Sequence, residues 1–201
     1  MPSTPSSVLL FDVMSTLVYD PIRREIPEFF GLSLDALYEQ KHPTAWTEFE
    51  RAAISEQTFC EIYFPDRPDP IDAEALHALL RTSYEWIDGM ELLLQELSDR
   101  QFEIHAFSNY PVWYEIIEDK LELSRYLDWS FVSCLTGLRK PDKRAYRQVL
   151  STLDIAACDC LFIDDRALNC DAATKVGMDA IAFRDAAHLR EALGERGVYF
   201  D

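Results

Sequence analysis

The chain has 201 residues, 48% of them hydrophobic and 12% aromatic, with 6 Gly and 10 Pro, which excludes a disordered, collagen-like or low-complexity protein. At about 150 residues per domain this length suits one compact body with a sizeable insertion; size scaling has such a chain burying about 70% of its unfolded surface, so neither a disulfide framework nor a structural metal is needed. The 19 Lys and Arg against 36 Asp and Glu leave a net charge of −17, which repels nucleic acid and anionic membranes and obliges any phosphate chemistry to bring a local cation.

Residues 1–7 (MPSTPSS) have neither the basic nor the apolar stretch of a secretory signal and read as the stub of a trimmed precursor. Residues 8–11 are a short continuous apolar run followed at once by Asp12, the pattern of a strand buried on both faces. Helical periodicity then predicts helices over 33–53, 55–63 and 72–86, capped by Ser33, Ser55 and Asp72, with a turn over 65–70. A helix over 90–97 follows Asp88-Gly89. Strands over 103–107, 129–134, 160–163 and 180–183 then alternate with helices over 112–123, 143–153, 167–176 and 186–193. This order predicts an α/β fold, a doubly wound, mainly parallel, Rossmann-like sheet with an inserted all-helical cap. The core is expected at 1–17 and 87–201 and the cap at 18–86. No apolar run approaches the roughly 20 residues that a membrane helix needs. Five Cys, an odd number without metal-type spacing, indicate free thiols in a reducing compartment, Cys158 and Cys160 being too close for an easy disulfide.

In sheets of this kind ligands bind at the carboxyl ends of strands near a switch point. The polar residues expected there are Asp12, Ser108 with Asn109, and Asp164 with Asp165, joined by Lys140 from a loop. Taken singly they suit a strand end, a turn, helix caps and a loop exit; those separate roles leave their joint spacing unexplained. Carboxylates converging on one point are hard to keep ionised without a cation.

Residues 9–17 (LLFDVMSTL), 106–109 (AFSN), 137–142 (GLRKPD) and 162–169 (FIDDRALN) resemble, in order and placement, the four motifs of the haloacid dehalogenase superfamily. The resemblance implies a Mg²⁺-dependent phosphatase working through an aspartyl-phosphate. Asp12 would be the nucleophile, Lys140 would pair with it and with a phosphoryl oxygen, and the Ser108 hydroxyl would bind another oxygen. Mg²⁺ would take oxygens from Asp12, the Met14 carbonyl and Asp165, with Asp164 and Asn169 in the same shell or behind it. Met14, Asn109, Arg139 and Trp46 are the candidates on the substrate side, and Thr16 is expected to bond backbone in the turn. One position departs from the pattern. The second residue after the nucleophile is Asp in these phosphatases, where it serves as general acid and base, and here it is Met14. Glu48, Glu50, His42 or a metal-bound water are candidate replacements. The departure leaves two other readings open: a catalytically weak binding or assembly protein, and a metal-free dehalogenase in which Asp12 attacks carbon.

Trp46 and Phe49 lie three apart on one helical face, where they serve either a flat substrate ring or the cap's own core. Residues 10–17, 29–31, 41–46, 49–50, 102–111 and 113–120 are similar to the plastid flavin mononucleotide (FMN) hydrolases of plants and green algae. That likeness implies a small phosphorylated substrate, FMN, hydrolysed with Mg²⁺ in the chloroplast, and no nucleic-acid or membrane partner. An isoalloxazine ring would stack on Trp or Tyr of the cap.

Overall fold

A computed structural model describes residues 8–200; the stub over 1–7 lies outside the described residues. The apolar run after it becomes β1 (Val8–Phe11), buried at every position. The chain then enters a helical insertion: α1 (Glu25–Phe29), α2 (Leu34–Gln40), α3 (Ala45–Phe49), α4 (Glu56–Ile62) and α5 (Ala73–Ser83). Ser33, Ser55 and Asp72 accept backbone N–H bonds at the starts of α2, α4 and α5, as their cap role requires.

The helix expected over 33–53 is two helices. Pro43 lacks a backbone donor, and His42 beside it turns its Nδ1 to accept the N–H groups of Thr44 and Ala45, capping α3. The short α1 and the 3₁₀ turn Pro21–Arg23 before it escaped the periodicity, because Pro21 and Pro27 read as breakers. The expected strand over 129–134 stops at Val132, and Ser133 opens a single helical turn ended by Gly137 at φ 71°.

After α6 (Met90–Asp99) come β2 (Glu103–Ser108), α7 (Tyr114–Leu121), β3 (Asp128–Val132), α8 (Ser133–Thr136), α9 (Lys143–Leu153), β4 (Cys160–Asp164), α10 (Ala167–Thr174), β5 (Asp179–Ala182) and α11 (Ala186–Gly194). The sheet is parallel throughout, in the order β3-β2-β1-β4-β5. Residues alternate between its faces. Leu9 and Phe11 enter the larger core with Ile104, Ala106 and Ile163, while Val8 and Leu10 pack with Phe107, Tyr146 and Phe162. Phe11 is level with Ala106 on β2 and Ile163 on β4, so the carboxyl ends of the three central strands finish side by side. The chain runs to one side of β1 for β2 and to the other for β4, which makes this end the switch point.

Cys60, Cys134, Cys158, Cys160 and Cys170 are all free. Among the described residues no helix is long and apolar enough to cross a membrane.

Candidate active site

Asp12 is the first residue beyond β1, and its N–H donates to the Ile163 carbonyl at 2.8 Å, which ties it to β4. The chain then turns back sharply. The Val13 carbonyl accepts from the N–H groups of Leu17 and Val18 at 2.8 and 2.9 Å, and Ser15 sits at φ 60°, a left-handed conformation unusual for a residue with a side chain. Met14 bridges to Val18, and Val18 bridges in turn to Trp86 at the exit of the insertion. Thr16 does not bond the backbone as expected; its hydroxyl is buried without a partner.

Lys140 is fully buried, its Nζ 2.9 Å from Asp12 and 2.6 Å from Asp164. The ammonium also lies over the rings of Phe107 and Phe162, with centroids 5.2 and 5.1 Å away. Asn109 fixes the backbone that carries it: its Oδ1 accepts from the Lys140 N–H and its Nδ2 donates to the Lys140 carbonyl, both at 2.8 Å. The side chain of Asn109 is thereby spent on positioning Lys140. Asp164 accepts from Asn169 Nδ2 at 3.0 Å on both oxygens and from the Arg166 N–H at 2.8 Å, so Asn169 stands behind Asp164.

Oxygens of Asp12, Asp164 and Asp165 lie within 4.8 Å of one another. Burial, reinforced by the charges of Asp164 and Asp165 and opposed by Lys140, pushes Asp12 up to about 7. Burial and Asp164 likewise raise Asp165. For Lys140, burial acts downward, but the charges of Asp12 and Asp164 outweigh it and the net shift is upward. One ammonium among three carboxylates leaves negative charge uncompensated, and an all-oxygen donor set suits a hard divalent cation. At the end of β2 the Ser108 hydroxyl is buried with no hydrogen-bond partner, an orphan that an oxyanion placed over Asp12 would satisfy.

A cavity of about 400 Å³ opens above this floor, with Asp12, Met14, Lys140 and Asp165 at its base and Trp46, Phe59, Tyr63 and Trp113 of the upper wall facing them. Its size is that of a site for one drug-sized ligand. Trp46 packs edge-on against Phe59 and Tyr110 and tilted against Trp113, so this cluster is at once the insertion's core and the cavity's wall. Arg139, next to Lys140, ion-pairs with the buried Glu50 of the insertion, and Ser133 donates to the Glu50 carbonyl. Burial raises Glu50 against the pull of Arg139 and of a hydrogen bond from Trp46. Arg166 lies at the cavity's exposed edge, while His42 and Glu48 do not line it.

Asp20, Tyr110 and Trp113 also form the cavity wall, and the sequence reading missed them as site residues. Asp20 precedes Pro21 and reads as a helix cap, which it also is, accepting from the Ile22 N–H at 3.0 Å. Trp113 is brought in by its indole N–H, which donates to Glu56 of α4.

A model of the haloacid dehalogenase-like hydrolases matches residues 7–177, and the chain belongs to that family. It is 47% identical over 191 residues to flavin mononucleotide hydrolase 1 of Arabidopsis thaliana, a chloroplast protein; the match covers 95% of this chain and 78% of that one. It is 32% identical over 111 residues to a sesquiterpene phosphatase of Aspergillus oryzae, covering 52% of this chain and 56% of that protein. A Bacteroides thetaiotaomicron family enzyme solved with magnesium and inorganic phosphate superposes with a TM-score of 0.75 at 18% identity, over 91% of this chain and 98% of that one. A hydrolase of the same kind from Porphyromonas gingivalis gives 0.72 at 16% identity, over 95% and 97%. At these identities the two structures speak for the fold.

Proposed function

We propose that the protein is a Mg²⁺-dependent phosphomonoesterase that hydrolyses FMN, or a closely similar small phosphate ester, through an aspartyl-phosphate on Asp12. The observation that carries this reading is the convergence of Asp12, Asp164 and Asp165 on one point with Lys140 between two of them. The Arabidopsis relative supports the substrate.

The residues present fit Mg²⁺: Asp12, Asp165 and the Met14 carbonyl would hold it, with Asp164 and Asn169 behind. The ion would supply the positive charge that lets a phosphate dianion approach a carboxylate. Lys140 pulls Asp12 toward its ionised form against burial and holds it aimed, and offers a hydrogen bond to a phosphoryl oxygen. Ser108 donates to a second oxygen. Asp12 then forms its Oδ–P bond in line with the breaking ester P–O bond, and water later cleaves the acyl phosphate. The division of labour is a core of 1–17 and 87–201 that does the chemistry and a cap of 18–86 that selects the substrate. Arg139, held by Glu50, joins the two. The isoalloxazine ring lies along Trp46 and Trp113. By likeness to the Arabidopsis protein, the protein works in the chloroplast.

The test is phosphate release from a panel of monoesters that includes FMN, with Mg²⁺ and with EDTA. Turnover that favours FMN and vanishes with EDTA is expected. Equal rates with EDTA, or FMN binding without turnover under any divalent metal, would sink the reading and favour a binding protein.

Trp46→Leu keeps an apolar side chain but removes the flat face. Aromatic stacking contributes about 0.5–1.5 kcal/mol, so the KM for FMN should rise about 2- to 10-fold, while kcat for p-nitrophenyl phosphate holds. A Trp46→Leu protein with an unchanged KM would place the ring elsewhere.

The folded-state pKa of Asp12 is raised from 3.8 to about 7, so between those values the folded state binds more protons than the unfolded one. Its contribution to stability therefore falls as pH rises through that window. Bound Mg²⁺ removes the penalty, so the melting-temperature gain from Mg²⁺ should be small at pH 5 and larger at pH 8. Calorimetry with and without EDTA reads this directly.

A further inference from the structure

We propose that Asp20 is the proton donor to the leaving alcohol, filling the role that Met14 cannot. The inference rests on the phosphatase reading above and adds the group that completes its chemistry.

Among the described residues four carboxyls line the cavity: Asp12, Asp20, Glu50 and Asp165. Asp12 and Asp165 belong to the anionic cluster at the floor and are committed to attack and to the cation. Burial raises Glu50 as well, but its carboxyl is already taken up by the Arg139 guanidinium and by Trp46, a clamp that a departing alcohol would have to displace. His42, considered from the sequence, spends its Nδ1 on the start of α3. Asp20 is left. It faces no clamp of this kind, since Oδ1 accepts the Ile22 N–H and no cation is paired with its side chain among the described residues.

The fold brings Asp20 to the cavity wall. The turn after the nucleophile sets Val18 beside Met14 by a backbone bridge, and the Tyr19 N–H is fastened to the Glu85 carbonyl at 2.9 Å. The carboxyl two residues beyond Val18 is thus held on the wall of the cavity that Met14 also lines. Burial is the main influence raising Asp20; the Ile22 N–H and the charge of Arg23 oppose it, and the charge of Asp165 adds to it. The net direction is upward from the ordinary aspartate value, toward a carboxyl that can carry and release a proton.

The step balances. As the Asp12 Oδ–P bond forms and the ester P–O bond breaks, the Asp20 proton passes to the departing alkoxide, giving the neutral alcohol and an Asp20 carboxylate. Water then attacks phosphorus, the Asp12 O–P bond breaks, and the water proton returns to Asp20 as phosphate leaves.

Donor catalysis matters for a poor leaving group and little for a good one. FMN is the ester of a primary alcohol; p-nitrophenyl phosphate leaves as a stabilised phenolate. Asp20→Asn retains the Oδ1 acceptor for Ile22, so the fold is kept, and an unchanged melting gain on adding Mg²⁺ verifies that the floor is intact. In Asp20→Asn, kcat/KM for FMN should fall about 10²- to 10⁴-fold and that for p-nitrophenyl phosphate less than about tenfold. Because kcat/KM reports events up to the first irreversible step, the later role of Asp20 toward water does not blur the comparison. Equal losses on both esters, no loss on either, or the selective pattern appearing in Glu50→Gln instead would overturn the assignment. A parent protein that turns over p-nitrophenyl phosphate with Mg²⁺ upholds the phosphatase reading whatever Asp20→Asn does. A parent inert toward both esters removes that reading and this inference with it.

Discussion

In the Asp12→Asn protein, phosphate release from FMN with Mg²⁺ should drop by on the order of 10⁴-fold or more, the scale seen when one member of a catalytic unit is removed from other hydrolases. Asn is nearly isosteric but cannot form the acyl phosphate. Loss of activity alone would not separate a missing nucleophile from a damaged fold, and the two are distinguished by stability. Asp12 has a folded-state pKa above its ordinary 3.8, which means that everything acting on it in the metal-free protein, Lys140 included, nets out against its charge. Replacing the carboxylate with a neutral amide removes that cost wherever Asp12 would be ionised, while Lys140 keeps Asp164 at 2.6 Å. Above about pH 7 and without metal, Asp12→Asn should melt no lower than the parent. Mg²⁺ should raise its melting temperature less, because one ligand oxygen is gone. A variant that retains turnover removes Asp12 from the mechanism; one that is inactive but melts well below the parent at pH 8 contradicts the electrostatic account of the floor.

The centre of the sheet was legible because β1 and β4 are buried at every position and read as short apolar runs, and because the carboxylates and Ser108 of the site stand at the ends of such runs. Asp12, Ser108 and Asp164 are found by where periodicity stops. Lys140 is different: a lysine in a loop is ordinarily a solvated charge, and only its place between Gly137 and Pro141 in a motif singled it out. Its burial follows from tertiary placement over Phe107 and Phe162. The insertion was legible as helical but not in its breaks, since the helix-period pattern of 33–53 runs on through His42 and Pro43 while the backbone does not. The cavity wall was least legible. Tyr110 and Trp113 lie in core sequence after β2, and nothing local says that a glutamate on α4 will bond the indole of Trp113. Asn109 shows the reverse: its type and place suggested a phosphate contact, and the structure spends both ends of its amide on the Lys140 backbone.

Lys140→Met is expected to be the most destabilising change at the site, and its pH dependence identifies the cause. Met matches the length and apolar stem of the lysine, so packing against Phe107 and Phe162 is largely kept. The loss is the ammonium that faces Asp12 and Asp164 in the interior. Breaking a buried ion pair from one side costs about 3–5 kcal/mol, and in a chain of this size each kcal/mol shifts the melting temperature by about 2–4 °C. A fall on the order of 10 °C at pH 8 without metal follows. The parent should not show an equivalent loss in this range, because the pKa of Lys140 is raised. Its contribution is complete below the ordinary lysine value and fades only as pH rises through the higher folded-state one. Asp12 behaves oppositely. With the ammonium gone Asp12 rises further, stays protonated near pH 5 and relieves the strain there. The melting difference between parent and Lys140→Met should therefore be smaller at pH 5 than at pH 8, the part due to Asp12 being the part that changes. Mg²⁺ should recover part of the stability at pH 8 but little of the phosphate release, since a cation at the carboxylates replaces the missing charge without replacing the donor to the phosphoryl oxygen. A difference that is the same at both pH values would mean that the methylenes of Lys140, and not its charge, hold this end of the sheet together.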